Sequence, residues 1–195
     1  MNKKIYLLKI GEIDPSILHD LKKNLKTEFN NFNIKVEILK EGLKLRKTDF
    51  NSMKKQYKAP NLLKKIIEIS KKKDLFRVLG ILDEDIYSKN YNFIFGLAER
   101  GYHSALISVA RLRENFYIKS SDLYRKLDSK EKFRERVLKE AKHELGHTFG
   151  LKHCKKRCIM QFSNSLADTD KKPVEYCDTC SSILKSIFIK WHSIF

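Results

Sequence analysis

What this chain lacks narrows its class before anything it contains. It has no apolar run long enough to span a bilayer, no internal repeat and no Gly/Ser-rich linker. A membrane protein, a solenoid and a string of tethered domains are therefore not expected. The apolar run near the N-terminus, Ile5 to Ile10, is short and interrupted by Lys9, which fails as the core of a signal peptide. A cytoplasmic location is the expectation. No cysteine occurs before Cys154, so no N-terminal thiol is at hand to cap a metal centre, and latency of that kind is not expected. Acidic residues are scarce, 24 Asp and Glu against 41 Lys and Arg, for a formal charge of +17. Such a charge suits nucleic acid. The lysines, however, are spread along the whole chain, in pairs such as Lys22–Lys23 and Lys64–Lys65 between apolar positions, as solvated helix faces are. No basic motif with interleaved aromatics accompanies them.

With 195 residues the chain can bury one good core. Lys4–Ile10 reads as a largely buried strand. Asp14 and Pro15 read as N-cap and first residue of a helix whose Leu18, Leu21, Leu25 and Phe29 share a face. Ile34, Val36 and Ile38 alternate with Lys35 and Glu37, the pattern of a half-exposed strand. The polar, Lys-rich stretch from Glu41 to Pro60 reads as a loop, and a second helix is expected from Asn61 to about Lys72. Strands are then expected at Leu75–Leu82, Tyr91–Leu97 and Ser104–Leu112. Alternation early and consecutive strands later suit an α/β (α+β) architecture with a mixed sheet.

The most informative string is His143-Glu144-Leu145-Gly146-His147-Thr148-Phe149-Gly150-Leu151-Lys152-His153, which reads H-E-x-x-H-x-x-G-x-x-H. His147 stands four positions after His143, so one helix face carries both imidazoles and one metal ion can take both. Asp128 with Glu131 has capping-box spacing, and Phe133, Val137, Leu138, Ala141, Leu145 and Phe149 form an apolar stripe. His143 lies roughly 160° around the helix from Leu145, so the pair is expected to face a cleft while the stripe packs on the core. Gly150 can take a positive φ, end the helix and bring His153 back as a third ligand. Three protein ligands leave a coordination position for water, whose pKa zinc lowers towards about 7. Glu144 is the candidate general base.

All four cysteines follow at once: Cys154-x3-Cys158 and Cys177-x2-Cys180, two close pairs 18 residues apart. That is the spacing of a four-thiolate structural zinc site; the alternative, a pair of disulfides, needs an oxidising compartment. Such a site would brace the loop holding His153, because Cys154 is the next residue. Two zinc ions per chain are expected, one catalytic and one structural.

The string H-E-x-x-H-x-x-G-x-x-H-C, then Cys158-Ile159-Met160, then C-x-x-C, resembles the archaemetzincins, a branch of the metzincin metallopeptidases. The family's spacing is one residue longer in the gap between the first two cysteines and in that between Met160 and Cys177. The resemblance implies that Met160 is the Met-turn residue forming an apolar floor under the catalytic zinc. It implies a mixed α/β fold with a cleft between an N-terminal part, residues 1–150 with the active-site helix, and a C-terminal part, residues 151–195. It also implies that Ser104 to Arg111 is the edge strand along which an extended peptide or protein substrate lies.

Arg111 and Arg113 could meet a substrate carboxylate or form surface ion pairs, and ion pairs are the commoner use. His103 is expected to be a solvated loop residue. Asp83, Glu84 and Asp85 read as turn or capping residues. Ile183, Ile187, Trp191 and Phe195, with Leu184 and Phe188, predict a core-packing C-terminal helix. The expected activity is zinc-dependent peptide hydrolysis. The alternatives are a zinc-ribbon-like nucleic-acid module, which leaves the His-Glu-His string without a purpose, and a protein that keeps zinc for structure alone.

Overall fold

The computed structural model describes residues 3–30, 32–117 and 129–193. Its main sheet joins β1 (Lys4–Ile10), β2 (Lys35–Ile38), β5 (Arg77–Leu82), β7 (Gly96–Glu99) and β8 (Ser104–Ser108) in the order β2-β1-β5-β8-β7. The first four are mutually parallel and β7 runs antiparallel to β8. Alternation sorts their side chains: Ile5, Leu7, Leu79, Ile81, Ala105 and Ile107 face one layer, and Leu8, Ile10, Val78, Leu82 and Leu106 face the other. Helix α2 (Ala59–Lys72) covers the second face with Leu62, Leu63 and Ile66. Helices α1 (Pro15–Asn30), α3 (Lys130–Thr148) and α5 (Asp178–Ser193) pack on the first, and the short α4 (Leu166–Lys171) lies between the last two in the chain. Apolar residues bury both faces of the parallel strands, which explains why β1 lacks a polar-apolar alternation.

Helix α1 starts as its sequence predicts, with Asp14 Oδ1 accepting from Ser16 N at 2.8 Å and a buried face of Leu18, Leu21, Leu25 and Phe29. Phe29, Phe149 and Phe188 then pack together, with ring centroids 5.0 to 6.4 Å apart, and tie α1, the end of α3 and α5 into one core. On α5 the buried stripe is Cys180, Leu184 and Phe188. Ile183, expected in the core, is 45% exposed, because the cysteine pair turns this face of the helix inward; Phe195 lies outside the described residues.

Three expectations are corrected. The stretch from Glu41 to Pro60 is not simply a loop: β3 (Phe50–Asn51) and β4 (Gln56–Lys58) join β6 (Ile86–Tyr87) in a small second sheet. Buried Gln56 anchors it, its Nε2 donating to Asp85 Oδ2 and to Asn92 O, both at 2.9 Å. The strand expected at Tyr91–Leu97 lies at Gly96–Glu99, and the preceding residues form a loop held by Ile94 N to Ile86 O at 3.1 Å. The edge strand is β7, not the segment from Ser104 to Arg111. β8 is buried at every position and pairs on both sides, whereas β7, with Gly96, Ala98 and Glu99, has its outer side unpaired among the described residues.

Helix α3 is also buried more completely than a single apolar stripe predicts. Its charged residues are covered by neighbours that pair with them: Arg136 donates to both oxygens of Asp170 at 2.6 and 2.7 Å, and Lys142 meets Glu28 at 2.7 Å. The helix is capped by Ser129, whose side chain accepts from Lys132 N at 3.2 Å; Asp128, the expected cap, lies outside the described residues. No helix among the described residues is long and apolar enough to cross a membrane.

Candidate active site

Glu140, His143, Glu144 and His147 sit at i, i+3, i+4 and i+7 on α3 and share one face. The face looks towards β7 and the segment after Met160. His143 Nδ1 lies 2.9 Å from Ile159 O and His147 Nδ1 lies 2.8 Å from Leu151 O. A carbonyl oxygen only accepts, so both Nδ1 atoms carry the proton and both Nε2 atoms are left as acceptors. Those two Nε2 atoms face one another at 3.1 Å. Opposed lone pairs at that distance repel unless a cation lies between them. Two nitrogens each ~2.0–2.1 Å from one tetrahedral zinc stand roughly 3.3 Å apart, which fits the observed spacing.

The third imidazole arrives through the turn that Gly150 makes. Leu151 N donates to Gly146 O at 3.0 Å and Gly150 N to His147 O at 2.9 Å, with Gly150 at φ +95°. This is a Schellman ending, which needs a residue without a Cβ at that φ. Three residues later His153 joins the pair, and the candidate ligand atoms of all three lie within 4.8 Å of one another. Cys154 N donates to Met160 O at 2.9 Å and closes the loop behind it. Met160 is fully buried under the helix, where a Cβ on Gly146 would come within 2.5 Å of its sulfur. Burial holds His143 well below its ordinary pKa and His147 at about 4, and lowers His153 as well. Around neutral pH all three keep a free lone pair.

Glu144 points from the same face at the backbone of β7. A Cβ on Gly96 would stand 2.6 Å from Glu144 Cγ and Oε1, so only glycine lets the carboxyl lie there. Burial raises the Glu144 pKa well above the usual range, Glu140 adds to this, and the Lys172 ammonium opposes it. A divalent cation at the imidazoles would act in the same sense as Lys172. Lys172 Nζ is itself held by Glu140 Oε1 at 2.6 Å, both side chains almost wholly buried. These groups line one cavity of about 610 Å³, which also takes in the loop before β7, Arg100 and Phe162.

The four cysteines are free thiols, and their sulfurs lie within 4.8 Å of one another. Cys154 Sγ and Cys177 Sγ are 3.8 Å apart. That excludes a disulfide of ~2.05 Å and matches roughly 3.8 Å between two thiolates each ~2.3 Å from one tetrahedral zinc. Backbone N–H groups already point at the sulfur that would carry charge: Cys177 N donates to Cys158 Sγ at 3.2 Å and Met160 N at 3.5 Å. Hydrogen bonds from the Cys180 backbone and from neighbouring thiols lower Cys177 to about 7, while burial pushes Cys158 and Cys180 up. The two shorter gaps around Met160 leave the sulfurs convergent.

Residues 3–186 match the model of peptidase family M54. The chain belongs to peptidase family M54. It is 38% identical over 182 residues to the archaemetzincin of Pyrococcus furiosus, covering 92% of this chain and 91% of that one. With the archaemetzincin of Sulfolobus acidocaldarius it shares 36% over 184 residues, 93% and 96% of the two chains. Among solved structures, the archaemetzincin of Archaeoglobus fulgidus, complexed with malonate, superposes with a TM-score of 0.74 at 36% identity over 92% of this chain and 99% of that one. That of Methanopyrus kandleri gives 0.75 at 31%, over 96% of each. Membership makes the protein a zinc metallopeptidase, and the His and Cys clusters are the groups fitted to metal.

Other residues of this M54 chain resolve to structure. Arg111 forms a two-point ion pair with Asp85, at 2.6 and 2.7 Å, and Arg113 Nη2 meets Asp83 Oδ2 at 2.7 Å. Asp83 and Asp85 of the acidic run after β5 thus satisfy the two arginines. His103 lies exposed in the turn between β7 and β8. The sequence reading missed Glu140, Lys172, Gly96 and Arg100. Glu140 was within reach, since it shares the helix face with Glu144. Lys172 and Gly96 carry no local signal, because only the packed structure brings them to α3.

Proposed function

We propose that this chain hydrolyses peptide bonds by the metzincin mechanism, with His143, His147 and His153 as the ligands of one catalytic zinc and Glu144 as general base. The reading is carried by one observation: two imidazoles turn unprotonated nitrogens on each other at 3.1 Å, with the Glu144 carboxyl on the same helix face. Zinc bound there supplies a Lewis acid that polarises the scissile carbonyl and acidifies water. Glu144 takes a proton from the attacking water on a carboxylate oxygen, holds it in its buried site and passes it to the leaving amine. Met160 is the apolar floor beneath the imidazoles. The outer side of β7 offers main-chain groups to an extended peptide, which binds with little sequence selectivity through the backbone alone. Cys154, Cys158, Cys177 and Cys180 hold a second, structural zinc. The cleft then divides residues 1–150 from residues 151–195. Four thiolates held by metal suit a reducing compartment such as the cytoplasm, which is the proposed location.

The test is Glu144→Ala, assayed on a peptide library by mass spectrometry with zinc measured in parallel. Activity should fall by about 10²–10⁴-fold, with two zinc ions per chain retained. An active Glu144→Ala enzyme would remove the assignment.

A further inference from the structure

Resting on the peptidase reading, we infer that Arg100 is a specificity determinant that selects substrates carrying an acidic side chain two to four residues from the scissile bond. Gly96, Leu97 and Ala98 of β7 line the active-site cavity, and so does Arg100, the first residue after the strand. Gly96 lies against the Glu144 carboxyl. Arg100, four residues on in the turn that follows β7, stands roughly 13 Å further along the chain and also lines the cavity. A substrate strand beside β7 rises at the same rate, so an Arg side chain from that point meets a residue two to four positions from the cleaved bond.

Charge balance supplies the selectivity. Four charged side chains line the cavity: Arg100, Glu140, Glu144 and Lys172. Glu140 and Lys172 neutralise one another at 2.6 Å, and Glu144 is committed to proton transfer. Arg100 has no carboxylate partner among the described residues. Its guanidinium is the uncompensated cation of the lining, planar and fork-shaped for a carboxylate.

The experiment uses matched peptides with Glu or Gln at each of the second to fourth positions on either side of the cleaved bond. Wild type is expected to favour Glu at one of them by about three- to five-fold in kcat/KM, the scale of an exposed charge pair, and to lose the preference in high salt. Arg100→Gln abolishes it and Arg100→Glu turns it towards Lys. The same peptides, dye-labelled, are titrated into the Glu144→Ala protein by fluorescence anisotropy, with the same ratios expected in Kd. Equal handling of Glu and Gln by wild type in both assays, or a preference that survives Arg100→Gln, overturns the inference. Should wild type cut no peptide, the peptidase reading fails, and the binding ratios still decide whether Arg100 reads carboxylates.

Discussion

Adding one methyl group at Gly96 is expected to disable the catalytic centre without harming the fold. The new Cβ would sit 2.6 Å from Glu144 Cγ and Oε1 and 2.8 Å from Cδ. Each is about 1 Å inside the ~3.5 Å at which carbon atoms rest. Glu144 is only 5% exposed, so its one escape is into the cleft, which carries the carboxylate away from where the proposed general base would meet water and leaving amine. A misplacement of about 1 Å costs on the order of 10²-fold in rate, or roughly 2.7 kcal/mol of barrier. Gly96 needs no positive φ, so alanine should not strain the strand, and a stiffer unfolded chain even adds up to about 1 kcal/mol of stability. The assay is kcat and KM on a peptide substrate, beside zinc content and thermal midpoint. Gly96→Ala should lose about 100-fold in kcat, keep its zinc and melt no earlier than wild type. Placed on a Glu144→Ala background it should cost nothing more, because the group it displaces is already gone. Turnover within about threefold of wild type would refute the argument that Gly96 exists to seat Glu144.

Lys172→Met removes one partner of a buried ion pair and leaves Glu140 uncompensated, for an expected loss of about 3–5 kcal/mol in urea unfolding; pairing it with Glu140→Met should restore most of that. An unchanged midpoint in the single variant would mean the pair is not truly dry. Cys177→Ser should lower zinc by about one ion per chain and hasten loss of the other to a chelator, since Cys154 N to Met160 O braces the turn behind His153. Unaltered metal content would dismiss the four-thiolate site. For metal-free protein, folding depresses His143 well below 6.5 and His147 to about 4, so the unfolded chain binds these protons first. Stability is then full above about pH 6.5 and drains as pH falls towards 4, which thermal melts across that range will register; His147→Asn should flatten the slope.

Much of the site was legible because it is written locally. The spacing of His143, His147, Gly150 and His153 specifies one helix face, one left-handed turn and one return, and the structure contains each. The cysteine pairs were as clear, and their sulfurs converge although two gaps are a residue shorter than the family's. The edge strand was misplaced because Ser104–Ser108 and Gly96–Glu99 differ in pairing, not in pattern, and a strand's sequence does not name its neighbours. The small sheet in the Lys-rich stretch was missed because its strands run two and three residues, too short for periodicity to appear.

Sequence alone determined the candidate ligand set and the candidate base, since helical rise and a glycine turn act over a dozen residues and need no partner. The tertiary structure decided everything that depends on distant segments meeting. It set Gly96 against Glu144, Lys172 on Glu140, and Arg100 in the lining of the cleft. Those meetings follow from which surfaces the sheet and helices bury together, a property of the whole chain that no local window contains.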